Sequence, residues 1–175
     1  MISQNNDSLV PSKKEYDSKK ANLEGIEFKE LSQINLSTIS ELHSLFSHWK
    51  KSSVQKKLNA TIKGMDKRFV ALENGKVVAH VRVVFGKGLH KHRAEISSLV
   101  VEYSHRRHHV GIGLMEFTLK NLPDTKKIVL LAVDSKNKPA ILLYKKLGFS
   151  KYGLLKKAAL INDKFVDNCL MKKEL

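Results

Sequence analysis

Two glycines and four cationic or titratable side chains crowd one short stretch, Arg106-Arg107-His108-His109-Val110-Gly111-Ile112-Gly113. Glycine lets a backbone approach a bulky anion closely. A helix that begins there presents unpaired amides and the positive end of its dipole, so the chemistry this spacing predicts is phosphate binding. The dinucleotide fingerprint needs a third glycine where Glu116 stands, and no Gly-Lys-Ser/Thr follows to make a P-loop. Taken alone, two glycines are explained equally well as easing a tight strand–helix junction.

Other titratable groups cluster nearby. Of eight histidines, five lie between His90 and His109. His90 and His92 on an extended segment would point to one side, as metal ligands can, but no cysteine or close carboxylate completes a set, and no metal is expected. The histidines instead predict a loop whose charge rises as pH falls toward about 6.5, with His105, His108 and His109 holding phosphate better when protonated. Lys145, Lys146, Lys151, Lys156 and Lys157 form a second basic group with no acid among them. It is either a solvated face or a docking surface for an anionic partner.

These residues must be positioned by regular elements. Ile26–Leu31 alternates as a short strand, and Asn74-Gly75 joins β-rich runs at Arg68–Glu73 and Lys76–Phe85 into a hairpin. A strand at Ala94–Val101 leads into the glycine turn, and Gly111–Asn121 reads as a helix broken by Pro123. The apolar run Ile128–Val133 suits a strand covered on both faces. Asn137–Leu147 reads as a helix with Gly148 at its C-terminal cap, and strands at Tyr152–Leu160 and Lys164–Met171 end the chain. Earlier, Ile39, Leu42, Leu45, Phe46 and Trp49 predict a helix over Ser37–Trp49, capped by Ser37, and a second follows at Ser53–Ile62. The class is α/β with a mixed central sheet.

A chain of 175 residues suits one domain with a real core. Residues 1–24 are polar, their lysines and acids cancel, and they read as a flexible tail ahead of a domain at 25–175. The net charge of +15 therefore sits on that domain and attracts anions without naming one: nucleic acid, an acidic protein or a phosphorylated cofactor. Aromatics are few and not interleaved with the basic residues, which argues against a nucleic-acid module. No apolar run approaches the roughly 18 residues of a membrane span, and a lone Cys169 fits a reducing cytoplasm.

Two blocks together resemble the GNAT superfamily of acetyltransferases. Val100–Leu114 resembles the family's Arg/Gln-x-x-Gly-x-Gly/Ala turn after a strand, with the first Arg/Gln read at His108, the next glycine at His109, and Arg107 supplying the missing cation. Asn137-Lys-Pro-Ala140-Ile-Leu-Leu143-Tyr144-Lys-Lys146-Leu-Gly148-Phe149 is similar to its Asn-x-x-Ala-x-x-Leu-Tyr-x-Lys-x-Gly-Phe signature. The likeness runs from about Ile26 to the C-terminus and is sharpest over Glu95–Gly153.

The resemblance implies a sheet of about six to seven strands, splayed in the middle and flanked by about four helices. It implies acetyl-CoA as cosubstrate, wedged between Ser97–Val101 and Ile128–Val133. Backbone groups of Leu99, Val100 and Val101 would pair with the pantetheine arm. Arg107, His108, His109, Val110, Gly111, Ile112, Gly113 and Leu114 would form the pyrophosphate turn, with Asn137 a further coenzyme contact. Tyr144 falls where the family places a general acid, and Glu95 where histone acetyltransferases of this superfamily place a base. The expected activity is N-acetylation of a primary amine, by a monomer or a homodimer. A cationic surface would repel polyamines, so an acidic peptide, a phosphorylated small molecule or a ribosomal setting suits the charge better. The alternatives are a GNAT-fold domain that senses coenzyme without turnover, and a basic domain bound to nucleic acid or ribosome.

Overall fold

Asn74 and Gly75 both lie at positive φ, 51° and 79°, as a two-residue hairpin turn of matching twist requires. They join β2 (Asp66–Glu73) to β3 (Lys76–Phe85) in a computed structural model of the chain, which describes residues 23–31 and 66–175. The strand β1 (Ile26–Glu30) pairs antiparallel with β2 on the hairpin's other edge. From β3 the chain returns antiparallel as β4 (Arg93–Val101), passes through helix α1 (Val110–Lys120), and enters β5 (Ile128–Asp134) parallel to β4. Helix α2 (Lys138–Lys146) then leads to the hairpin of β6 (Ser150–Ile161) and β7 (Lys164–Glu174). β7 lies between β5 and β6, giving one mixed sheet in the order β1-β2-β3-β4-β5-β7-β6.

Seven strands and a mixed sheet agree with the sequence reading. Two α-helices are present among the described residues, and the helices expected at Ser37–Trp49 and Ser53–Ile62 lie outside them. So does most of the expected 1–24 tail, although Leu23 accepts a backbone bond from Ile26 and packs on the core. β7 runs to Glu174, three residues past the expected end at Met171, because β5 keeps offering partners as far as Ile128. His90 closes a short 3-10 turn, Gly88–His90, so His90 and His92 do not share an extended segment; both are exposed.

One face of β2–β4 carries Phe69, Ala71, Val81, Val83, Ala94 and Ile96 into an apolar core with Leu114 and Met115 of α1. Phe117 adds an edge contact to Phe69, with ring centroids 6.1 Å apart, and a stacked one to Phe28 at 6.0 Å. The opposite face holds a buried polar row. Arg82 and Arg68 flank the carboxylate of Asp66, and Arg68 Nη1 lies 3.0 Å from His80 Nε2. Complete burial and the two neighbouring guanidinium groups push the His80 pKa down to about 3, so its ring is neutral.

The centre of the sheet is split by a bulge. Arg82 faces Ser98 while Val83 faces Ile96, leaving Ser97 without a partner on β3. Such an inserted residue bends its strand and shifts its side-chain phase. Ala94 and Ile96 point into the core before it, whereas Leu99 and Val101 do so after it. Pairing of β4 with β5 stops there too, running only from Arg93–Ile128 to Ile96–Leu131. Beyond those residues the two parallel strands part.

Candidate functional site

The split exposes the inner edges of two strands at the middle of a sheet. From Ser97 to Val101 the side of β4 toward β5 pairs with no strand among the described residues, which leaves this edge for an extended ligand, apart from Val101 O, which accepts from Arg106 Nε. The next turn of chain stands at the mouth of this gap. His109 is the N-cap of α1 at φ 62°, its side chain makes no capping hydrogen bond to the helix, and no acid occupies the first turn. The first intrahelical bond runs from Gly113 N to His109 O at 2.9 Å, leaving the earlier amides of Val110, Gly111 and Ile112 as the helix's outward donors. An anion is the natural partner of that end.

The same bond separates the roles of the two glycines. A Cβ on Gly111 would meet Leu143 Cδ1 at 3.3 Å and Val101 Cγ2 at 3.4 Å, so this glycine lets the turn sit against both β4 and α2. A Cβ on Gly113 would stand 2.7 Å from Phe28 Cζ. Gly113 therefore serves helix–strand packing, and its amide, like that of Leu114 one turn in, is committed within the helix.

The turn holds two residues in left-handed backbone. Arg107 and His109 are the non-glycine residues at positive φ here, 67° and 62°. His109 is the position read for the glycine that usually follows the family's first Arg/Gln, and its left-handed φ is one that glycine adopts at no steric cost. Arg106 Nε donates to Val101 O at 3.1 Å, and its guanidinium lies 5.4 Å from the Tyr103 ring centroid. Arg107 and His108 are exposed at the rim. His105 turns away from the anion end to Glu73 and Glu102.

Tyr144 is held by the way α2 stops. Asn137 caps the helix, its Oδ1 accepting from Ala140 N at 3.2 Å. At the other end Gly148 takes φ 83°, Phe149 N donates to Tyr144 O at 3.0 Å, and Gly148 N donates to Lys145 O at 3.0 Å. This is the paired-bond ending that glycine favours, and its usual apolar contact is present: the Tyr144 and Phe149 rings meet edge to face, 5.8 Å apart. Gly148-Phe149 thus fixes the ring that precedes it by a turn. Burial pushes the Tyr144 phenol up to about 12, so it stays protonated at any neutral pH.

Glu95 is brought to the other side. It is exposed, opposite Val84 on β3 and Leu130 on β5, while its neighbours Ala94 and Ile96 join the core that holds Tyr144. Glu95 therefore points away from the core in which Tyr144 is buried. Among the described residues no group of three or more His, Cys, Asp or Glu is placed to hold a metal ion, and no helix is long and apolar enough to cross a membrane.

This architecture recurs in solved structures. A ribosomal-protein-alanine N-acetyltransferase from Brucella melitensis superposes with a TM-score of 0.76 at 16% identity, over 85% of this chain and 99% of that one. The acetyltransferase yncA of Salmonella typhimurium, solved with acetyl-CoA, gives 0.73 at 14% identity, covering 86% and 94%. NAA60 of Arabidopsis thaliana, bound to a bisubstrate analogue, gives 0.69 at 20% identity, covering 85% and 97%. At these identities the likeness is one of fold. No curated protein matches the sequence significantly. The family model described as Acetyltransferase (GNAT) family matches residues 36–149, which take in the split strands, the anion turn and the Tyr144 helix. The chain belongs to the GNAT acetyltransferase family.

Proposed function

We propose that the protein transfers an acetyl group from acetyl-CoA to a primary amine by direct attack. This reading is supported by the parallel-strand edge of β4 that pairs no further with β5, the helix N-terminus that follows it, and the buried phenol of Tyr144 on the helix after β5. Acetyl-CoA, when bound, supplies the acetyl group as a thioester. The amides of Val110, Gly111 and Ile112 hold its pyrophosphate, with Arg106, Arg107 and His108 adding positive charge. Backbone groups of Leu99–Val101 align the pantetheine arm as an added strand. Gly113 and Leu114 act through packing, and Asn137 orients α2.

Tyr144 then faces the leaving sulfur. With its pKa near 12, against about 8.5 for a free thiol, complete transfer of its proton is uphill by about 5 kcal/mol. Tyr144 accordingly donates a hydrogen bond to the sulfur and passes its proton on only as another replaces it. Glu95, pointing away from the core that buries Tyr144, accepts a proton from the incoming ammonium through water.

A screen of amines, amino acids and peptides, read by free-thiol release, tests this function. We expect at least one amine to release coenzyme thiol, and Tyr144→Phe to lower kcat on it by roughly ten- to a hundredfold with coenzyme affinity unchanged. Equal turnover by the variant would remove Tyr144 from the acid role. Coenzyme binding without thiol release from any amine would support a sensing domain instead.

A further inference from the structure

His105 is the residue of the anion turn's approach that points backward. It ends the 3-10 turn Tyr103–His105, between β4 and the left-handed residues that precede α1. Its Nε2 lies 3.1 Å from Glu73 Oε2 at the end of β2, and its Nδ1 lies 3.1 Å from Glu102 Oε2 and 2.9 Å from Ser104 Oγ. The ring is mostly enclosed, with a side chain 17% exposed, while the two carboxylates are less so at 43% and 42%. Arg106 is drawn to Val101 O and the Tyr103 ring.

Only a doubly protonated imidazole donates to both carboxylates at once. A neutral ring has one N–H and would turn a lone pair toward the second acid. The turn beyond needs such a restraint. Arg107 and His109 hold left-handed backbone without being glycine, which costs about 1–2 kcal/mol each and persists only where surrounding contacts over-determine it.

We propose that His105 is a positioning residue for the coenzyme turn, bridging Glu73 and Glu102 as a cation and so clamping the start of the turn to the β2–β3 hairpin. The inference rests on the coenzyme reading of that turn. It makes coenzyme affinity depend on a side chain that does not touch the coenzyme.

The test is calorimetric titration of CoA into the folded protein at one fixed pH. Wild type, His105→Ala, His105→Lys and Glu73→Gln are compared. We expect His105→Ala and Glu73→Gln each to weaken CoA by about fivefold, because the exposed carboxylates limit the clamp's strength. His105→Lys, a permanent cation, should restore most of the affinity that His105→Ala loses. Wild-type affinity in both His105→Ala and Glu73→Gln would overturn the proposal, as would His105→Lys binding no better than His105→Ala. A purely structural role would lower the melting temperature and leave CoA affinity alone. If wild type itself fails to bind CoA, the coenzyme reading falls; if wild type binds and the variants match it, only the clamp does.

Discussion

His80 and His109 show how far one side chain departs from its sequence context. The strand pattern of β3 is apolar on both sides of His80, and burial holds its pKa near 3 where a solvated ring has about 6.5. The sign follows from the lowered value. The ring is neutral in the fold, so below about pH 6.5 the unfolded chain takes up a proton that the fold refuses. Stability present above that pH is then lost as pH falls toward 3, by about 1.4 kcal/mol per unit. Denaturant unfolding should show wild type losing about 2 kcal/mol more than His80→Gln between pH 7 and pH 5; parallel curves would show that the ring titrates normally. His109 bears backbone strain at φ 62°. His109→Gly should relieve about 1–2 kcal/mol, offset by up to about 1 in the unfolded chain, and leave coenzyme affinity equal or better. A loss beyond about threefold, measured by titration, would assign the phosphate contact to the imidazole itself.

At the scale of elements, the two glycines of α1 do different work. Gly113→Ala drives a methyl to within 2.7 Å of the Phe28 ring, and should destabilise the β1–α1 packing by about 1–3 kcal/mol in chemical denaturation. Gly111→Ala meets only side-chain ends, at 3.3 Å and 3.4 Å, and should cost under about 1 kcal/mol. The reverse order would mean that the helix is seated differently. Much of this layer was legible in the sequence. Asn74-Gly75, Pro123 and Gly148 punctuate the chain for local steric reasons, so the hairpin and both described helices fall within a residue or two of expectation. The bulge at Ser97 was not legible, because nothing in Glu95-Ile-Ser-Ser-Leu differs from an unbroken strand; its cause is pairing with β3.

At the scale of the molecule, an order of strands puts chemistry at the centre of the sheet. β4 and β5 meet in parallel and stop pairing after Ile96 and Leu131, and the proposed site draws on the N-terminus of α1 and on Tyr144 of α2, over thirty residues apart in the chain. Length and composition predicted one α/β domain, but which strands neighbour one another is a long-range fact that only the family signature anticipated. At the far edge, β6 is interrupted by bulges near Tyr152 and between Leu155 and Ala159, and carries Lys151, Lys156 and Lys157, features that oppose edge-to-edge strand pairing.

The most direct measurement is titration of acetyl-CoA into isotope-labelled protein, followed through assigned backbone amides. The account predicts that Val110, Gly111 and Ile112, together with Leu99–Val101, shift first and saturate together, while Gly113 and the β1–β2 amides move little. An absence of shifts at these amides, or saturable shifts centred on the β6–β7 lysines instead, would contradict it.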